Sequence, residues 1–424
     1  MMQGQLSTSM ASPFRVVVPY FIAAIASWVV LNLALAMIAP EIRGHYFQPH
    51  LLALTHTATL LWIGMTIMGA MYQLVPVVLE VPLYSKRLPV WAFWIYLIGA
   101  SGMVVHFWSY AMKTGFVVSA FLVFVAFGLF IINISLTMRR VRAWNLTGLC
   151  LLSSLVYLFL AASLGLVLGV NLNHFFIRVD HIQHLKVHAH LAFAGWVTMV
   201  IMGAVYKLIP MFTLSHGTST KPGIFAFVAL HIGVIGLTVE LLFGGGRGPL
   251  LGVYAGVMTA GIGAFLVQVA LILKYRMRKA FDIGMKHALV SFIALIPTVL
   301  LGDLFAIGGT GKTELDERFV LAYGFLIIFA YISFLIVGQM YKIVPFLVWF
   351  HKYSDKVGLE PVPLLREMFS ERTGEVQFIL MVAATVSTLG GLLIGQQGWI
   401  IAGVWGLSIA AVIFAYNMYT VFRK

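Results

Sequence analysis

Apolar runs long enough to cross a lipid bilayer occupy most of this chain. Windows of about 20 residues detect about twelve such runs, separated by short polar connections. A segment in hydrocarbon must satisfy its own backbone hydrogen bonds, and the short alternating segments of a transmembrane barrel are absent from the sequence. The sequence therefore predicts an all-α, polytopic membrane protein. The runs begin near residues 16, 50, 89, 115, 145, 186, 223, 248, 283, 319, 374 and 397.

The basic charge of the chain is distributed unevenly between the connections. The formal net charge is +13, yet only 10% of the residues are charged. With the N-terminus inside, the inward connections contain most of the lysines and arginines, including residues 139–142 and 352–372. This asymmetry follows the positive-inside rule. It predicts cytoplasmic N- and C-termini in an inner membrane of the bacterial type, with lipid rather than nucleic acid as the partner of this surface.

An internal repeat relates three of the apolar runs. Residues 55–76 align without gaps to residues 189–210, so that His56 corresponds to His190. A third copy ends at Pro345 and has phenylalanine at the place of the histidine. The second, sixth and tenth runs are therefore predicted to be equivalent helices.

The repeat implies three pseudo-symmetric units of four helices each. Their approximate limits are residues 13–141, 142–280 and 281–424. Such units commonly surround an axis, with function at their interfaces. The shared Gly-x-x-Tyr-x-x-x-Pro pattern is typical of helix packing and helix termination, but packing does not account for the histidines.

Two histidines, His188 and His190, stand one residue apart in the sixth run. Histidine within a membrane span is costly and normally faces the bundle interior, a water-filled path or a ligand. At about 100° per residue, the two rings point about 200° apart. One metal ion cannot readily take both, whereas two cofactors on either side of the helix could take one each.

These residues carry a resemblance to a known family. A helix with His-x-His, Gly-Trp, Gly-x-x-Tyr and a terminal proline resembles the tenth helix of haem-copper oxidase subunit I, particularly that of the C-family (cbb-type) oxidases. The resemblance implies that His188 is the axial ligand of a high-spin haem and that His190 ligates a low-spin haem. The cofactors it implies are one or two b-type haems, with copper as a candidate second metal.

The segment from His56 to His106 is similar to the sixth and seventh helices of that family, including Pro-x-Tyr-Ser-x-Arg-Leu at residues 82–88. In this register His56 matches the first copper ligand. Met103 and Val104 stand where the family has its adjacent pair of copper-ligating histidines. If the chain is instead collinear with the family, His56 matches the low-spin haem ligand of the second helix and the tenth span has lost its pair. The internal repeat leaves both registers open.

A metal site at the outer face is a second hypothesis from the histidines. His181, His184 and His188 follow an i, i+3, i+7 pattern and would share one face of a helix that begins early. Imidazoles are ordinary ligands of copper and zinc. The predicted metal ligands are His56, His106 and His184.

The resemblance implies a haem-binding membrane redox protein in respiratory electron transfer, or in the reduction of O2 or NO, together with a cytochrome c-type or other redox subunit. As an enzyme it would be an oxidoreductase of the terminal oxidase or nitric oxide reductase type. Because two copper ligands are replaced, a divergent haem or copper protein in nitric-oxide handling or assembly is an alternative, and a membrane transporter of copper or haem is another. If His56 caps the same haem as His188, electron transfer or sensing is favoured over gas chemistry.

Overall fold

The computed structural model describes residues 10–42, 45–178, 180–244, 249–308 and 314–424. Twelve helices in these ranges are long and apolar enough to span a membrane, and no strand occurs in the same ranges. Each of the twelve predicted runs coincides with one of these helices, which confirms the all-α fold class. In chain order they are α1 Phe14–Met37, α2 Pro49–Val78, α3 Leu88–Trp108, α4 Thr114–Met138, α5 Leu146–His174, α6 His181–Thr213, α7 Lys221–Phe243, α8 Leu250–Lys274, α9 Ile283–Gly308, α10 Glu317–Lys356, α11 Glu371–Ile394 and α12 Gln397–Arg423.

Side-chain caps determine where several of these helices begin. Asn145 precedes α5, Asp180 precedes α6 and Ser370 precedes α11, and each accepts a hydrogen bond from a backbone N–H of the first turn. Such caps satisfy donors that a helix start leaves unpaired. The Asp180 cap matters for the site, because it determines where His184, His188 and His190 fall along α6.

The twelve helices pack as a closed ring of three units, α1–α4, α5–α8 and α9–α12. Within each unit the first helix contacts the second, and the third pairs extensively with the fourth. Between units the contacts are α4 with α5, α8 with α9, and α12 with α1. The second helix of each unit, namely α2, α6 or α10, lies innermost, as its high buried fraction shows.

The shared glycine of the repeat brings the inner helix of each unit close to the first helix of that unit. A Cβ at Gly338 would lie 2.5 Å from the carbonyl oxygen of Gly284 in α9. The equivalent Gly69 and Gly203 face α1 and α5 in the same way. The packing interpretation of this glycine is therefore consistent with the structure, since small residues permit close helix approach.

Each inner helix contains one π-helical segment, and the three segments occupy equivalent places in the repeat. A π-helix has one more residue per hydrogen-bonded turn than an α-helix and frequently marks a functional site. The segment in each helix starts immediately after His56, His190 or Phe325. The segments are Thr57–Gly64, Leu191–Val197 and Leu326–Ser333.

An indole hydrogen bond ties two of these segments together. Trp62 Nε1 donates to Ser333 Oγ over 2.9 Å, from α2 to α10. The repeat places Trp196 on Trp62, and its Nε1 is buried without a partner among the described residues. For Trp196, the position equivalent to Ser333 is Gly64 of unit one, which has no hydroxyl group. A Cβ at Gly64 would lie 2.3 Å from the Tyr96 hydroxyl oxygen, so a serine does not fit.

Candidate functional site

His56 lies in α2 at the last position before the π segment. Its Nδ1 is 2.8 Å from the carbonyl oxygen of Leu52, and because a carbonyl can only accept, Nδ1 carries the proton and donates. The ring stacks on Phe107 of α3 with centroids 4.4 Å apart. The Nε2 atom is neither enclosed nor paired within the part of the chain described. His56 therefore presents the lone pair of Nε2, the arrangement of a metal-ligating imidazole.

His188 is held in a similar way on α6. Its Nδ1 donates over 2.9 Å to the carbonyl oxygen of Ala161, which belongs to α5 rather than to its own helix. The ring lies over Gly165, where a Cβ would come within 2.7 Å of Cε1. No described residue pairs with its Nε2. A bond to a neighbouring helix and a glycine beneath the ring hold this imidazole in one orientation.

His56 and His188 belong to the inner helices of two neighbouring units, α2 and α6. His56 and His188 lie deep in the bundle, yet each ring keeps accessible surface. They are also close enough to interact electrostatically. The structure thus brings together two of the three predicted haem ligands, from the inner helices of units one and two.

His190 is in a different environment. Its Nε2 is enclosed by protein and has no hydrogen-bond partner among the described residues. Two residues along a helix turn a side chain by about 200°, which separates this ring from that of His188. An iron ion at this nitrogen would require the surrounding side chains to move, so the residues present fit a haem at His56 and His188 better than at His190.

The next interface, between units two and three, has Tyr323 at the place of His188. Its hydroxyl oxygen lies 3.2 Å from where a Cβ on Gly302 of α9 would stand, so the tyrosine occupies a place like that of the histidine. Nearby, Asp303 accepts from Thr259 Oγ1 at 2.9 Å and 2.8 Å. Sequence analysis missed Tyr323 and Thr259. The repeat offset of 135 residues, from His188 to Tyr323, is the signal that could have found the tyrosine.

The predicted metal ligands are not assembled as a metal site. In the ranges that the structure describes, no three His, Cys, Asp or Glu side chains have such an arrangement. His184 Nδ1 donates to the carbonyl oxygen of Asp180. His106 lies over Gly115 of α4, whereas His56 stacks on Phe107. These donors do not fit a copper ion as a set.

Two further histidines at the same end have structural partners. His50 Nδ1 is 2.9 Å from Glu41 Oε2, and the ring lies against Trp108 with centroids 4.5 Å apart. His181 Nε2 is 2.9 Å from Nδ2 of Asn171. Both therefore support the connections at this end of the bundle.

Comparison with known proteins assigns a family. The profile of the Cytochrome C and Quinol oxidase polypeptide I family matches residues 6–255, which is more than half of the chain. The chain belongs to this family. A solved structure described as a cryo-EM structure of a heme-copper terminal oxidase dimer has a TM-score of 0.68 at 10% identity, over 96% of this chain and 84% of that one. At such identity the likeness shows the shared fold. No curated protein matches the sequence.

Membership in the cytochrome c and quinol oxidase polypeptide I family confirms the predicted class of function. The chain is a multi-pass membrane redox protein that resembles subunit I of cytochrome c oxidase. Haem, electron transport and respiration follow from the family. The predicted resemblance to haem-copper oxidases is confirmed at this level, and the C-family relationship stays a prediction.

Proposed function

We propose that this chain transfers electrons within the membrane through a b-type haem held between α2 and α6 by His56 and His188. The observation that supports the proposal is the pair of imidazoles described above. Each has its Nδ1–H bonded to a backbone carbonyl, and each has an Nε2 atom that no described residue pairs with. Two such nitrogens on the inner helices of neighbouring units would hold the iron of one haem.

Four further residues set the tautomer and the ring orientation of His56 and His188. The carbonyl groups of Leu52 and Ala161 select the tautomer with a free Nε2, and such bonds raise the basicity of a ligating imidazole. Phe107 limits the rotation of the His56 ring, and Gly165 leaves room for the ring of His188. A haem with two imidazole ligands supplies a one-electron centre whose potential depends on these ligands and their hydrogen bonds.

Electron transfer is favoured over reduction of O2 or NO because a haem held by both His56 and His188 would have no iron position left for a gas and would supply one-electron chemistry. A second metal site beside this pair is not supported, since the described side chains form no three-ligand cluster. The proposal includes the relationship to the C-family (cbb-type) oxidases through residues 82–88. It also includes a cytochrome c-type or other redox subunit as the electron partner.

Visible spectra of the purified protein test this function. We expect the wild type to show a low-spin b-type spectrum that carbon monoxide does not change. His56→Ala and His188→Ala should each lose the low-spin bands, whereas His190→Ala should retain them. The control is His231→Ala, because His231 packs against Tyr157 and Phe227 and donates to its own helix.

Three results would contradict the proposal. A folded but colourless wild-type protein would show that the chain does not bind haem and would favour the transporter hypothesis. Loss of the spectrum in His190→Ala alone would place the haem at another interface. A carbon monoxide shift in the wild type would show an open axial position and restore gas reduction.

A further inference from the structure

A large cavity lies between the three inner helices, at the end of the bundle opposite to the histidines. Its volume is about 1530 Å³, which exceeds the roughly 300–1,000 Å³ of most small-molecule sites. The walls repeat with the units. Ile67, Ile201 and Ile336 occupy equivalent places, and about one turn nearer the mouth stand Ala70, Ala204 and Gln339.

Two amide side chains interrupt the apolar walls. Gln73 of α2 and Gln339 of α10 both line the cavity. The Oε1 atom of each is buried without a partner, and neither amide forms a hydrogen bond with any residue in the described ranges. An amide can donate or accept as it turns. Two unpaired amides on different helices therefore offer hydrogen bonds to groups inside the cavity.

The charged residues that line the cavity balance in number. Three are basic and three are acidic: Arg278, Lys342, Arg366, Asp282, Glu371 and Glu375. Lys342 forms an ion pair with Asp282 and lies 4.4 Å from the centre of the Phe212 ring. Glu375 pairs with Lys286 over 2.6 Å. Because these charges are balanced, the cavity offers an ionic headgroup little attraction to offset its desolvation.

We propose that this cavity binds one neutral, lipid-like molecule whose carbonyl or hydroxyl oxygen atoms form hydrogen bonds with Gln73 and Gln339. Its hydrocarbon part lies against the three isoleucines. Water is a poor occupant of such walls, because ordered water needs two to four polar partners. At 1.5 Å per residue, Gln73 is about 9 Å nearer the mouth than Ile67. A bound molecule would therefore place its polar group near the mouth and its hydrocarbon end deeper in the cavity. This site is independent of the proposed haem function.

Native mass spectrometry of the delipidated full chain in detergent tests the proposal. Dioleoylglycerol and decylubiquinone serve as neutral probes from two sources, a glyceride and a quinone, and dioleoylphosphatidic acid serves as the charged comparison. We expect one bound molecule of a neutral probe per chain. Ala204→Phe should weaken binding, because its ring would project into the cavity between the inner helices. Ala260→Phe, on the exposed face of α8, is the matched control and should bind normally.

The amides are tested separately. Gln73→Leu and Gln339→Leu keep the size of the side chain, and each should weaken binding about fivefold through one lost hydrogen bond. The neutral probe that binds identifies the source of the ligand. The proposal is overturned if neither neutral probe binds, if Ala204→Phe binds as the wild type does, or if phosphatidic acid is preferred. Haem content, measured in the same samples, should stay unchanged and keeps this result separate from the haem proposal.

Discussion

Glycine at position 165 determines where the ring of His188 can lie. The equivalent place on α9 is Gly302, beneath Tyr323, so the same small residue supports a different side chain at each interface. At Gly165 a Cβ would be 2.7 Å from the imidazole, which is closer than ordinary contact, whereas at Gly302 it would be 3.2 Å from the phenol oxygen. An alanine methyl group would therefore displace the imidazole at position 165, whereas at position 302 it would require only a small shift of the phenol.

Gly165→Ala should displace the imidazole of His188 and break its bond to Ala161. Loss of such a supporting contact typically lowers affinity about tenfold or more, so we expect a corresponding fall in haem affinity. Haem titration followed by Soret absorbance measures this. Gly302→Ala is the matched control and should bind haem as the wild type does. Equal affinity in both variants would contradict the role given to Gly165.

The paired and unpaired indoles allow a second comparison. Trp62→Phe removes the hydrogen bond to Ser333, whereas Trp196→Phe removes an N–H that has no described partner. Both changes remove similar volume. We therefore expect Trp62→Phe to lower the free energy of unfolding by about 1 kcal/mol more than Trp196→Phe does. Denaturant titration of both variants measures the difference, and equal destabilisation would show that the bond contributes nothing.

At the scale of the element, the π segments couple the two halves of each inner helix. In α6, Thr198 Oγ1 donates to the carbonyl oxygen of Phe193, and in α10 Ser333 Oγ donates to that of Ile328, both five residues back. One extra residue changes the orientation of the outer half by about 100° relative to the inner half. The segment in α2 therefore directs His56, while the Gly-Tyr-Pro half keeps its packing.

Deleting Ala58 should convert the π segment of α2 into an α-helix. The outer half of α2 would then rotate, His56 would leave Phe107, and we expect the haem spectrum to be lost. The matched deletion of Ile327 in α10 alters a helix with Phe325 in place of the histidine, and it should keep the spectrum. Circular dichroism and gel filtration confirm folding of both. Retained haem in the first variant would refute the role of the π segment.

At the scale of the whole molecule, the start of α1 and the end of α12 lie at the same end of the bundle. The ring of Phe14 stacks on His351 with centroids 4.4 Å apart, and the Tyr353 hydroxyl donates to the carbonyl oxygen of Lys424 over 2.7 Å. The cavity described above opens toward this end, and the paired histidines lie near the other. The basic connections predict that the end with the termini is cytoplasmic.

Labelling with a membrane-impermeant maleimide tests this orientation. The single cysteine, Cys150, is buried and should give little background. In intact cells Lys113→Cys, between α3 and α4, should be labelled, and Ser219→Cys, between α6 and α7, should react only after the membrane is opened. Both positions are exposed at the surface of the bundle. The reverse pattern would overturn the assignment of cytoplasmic termini.

The sequence by itself determined the helices, their number and their repetition, because hydrocarbon imposes helical hydrogen bonding on every apolar run of sufficient length. It also identified His56, His188 and His190, since a histidine within a membrane span is costly and normally faces the bundle interior, a water-filled path or a ligand. Only the tertiary structure decided how each ring is held. That outcome depends on the carbonyl of Ala161 and the glycine beneath His188, both on another helix, and on π segments that no residue pattern marked. Such orientations arise from contacts between helices, so helical periodicity along one chain segment cannot specify them.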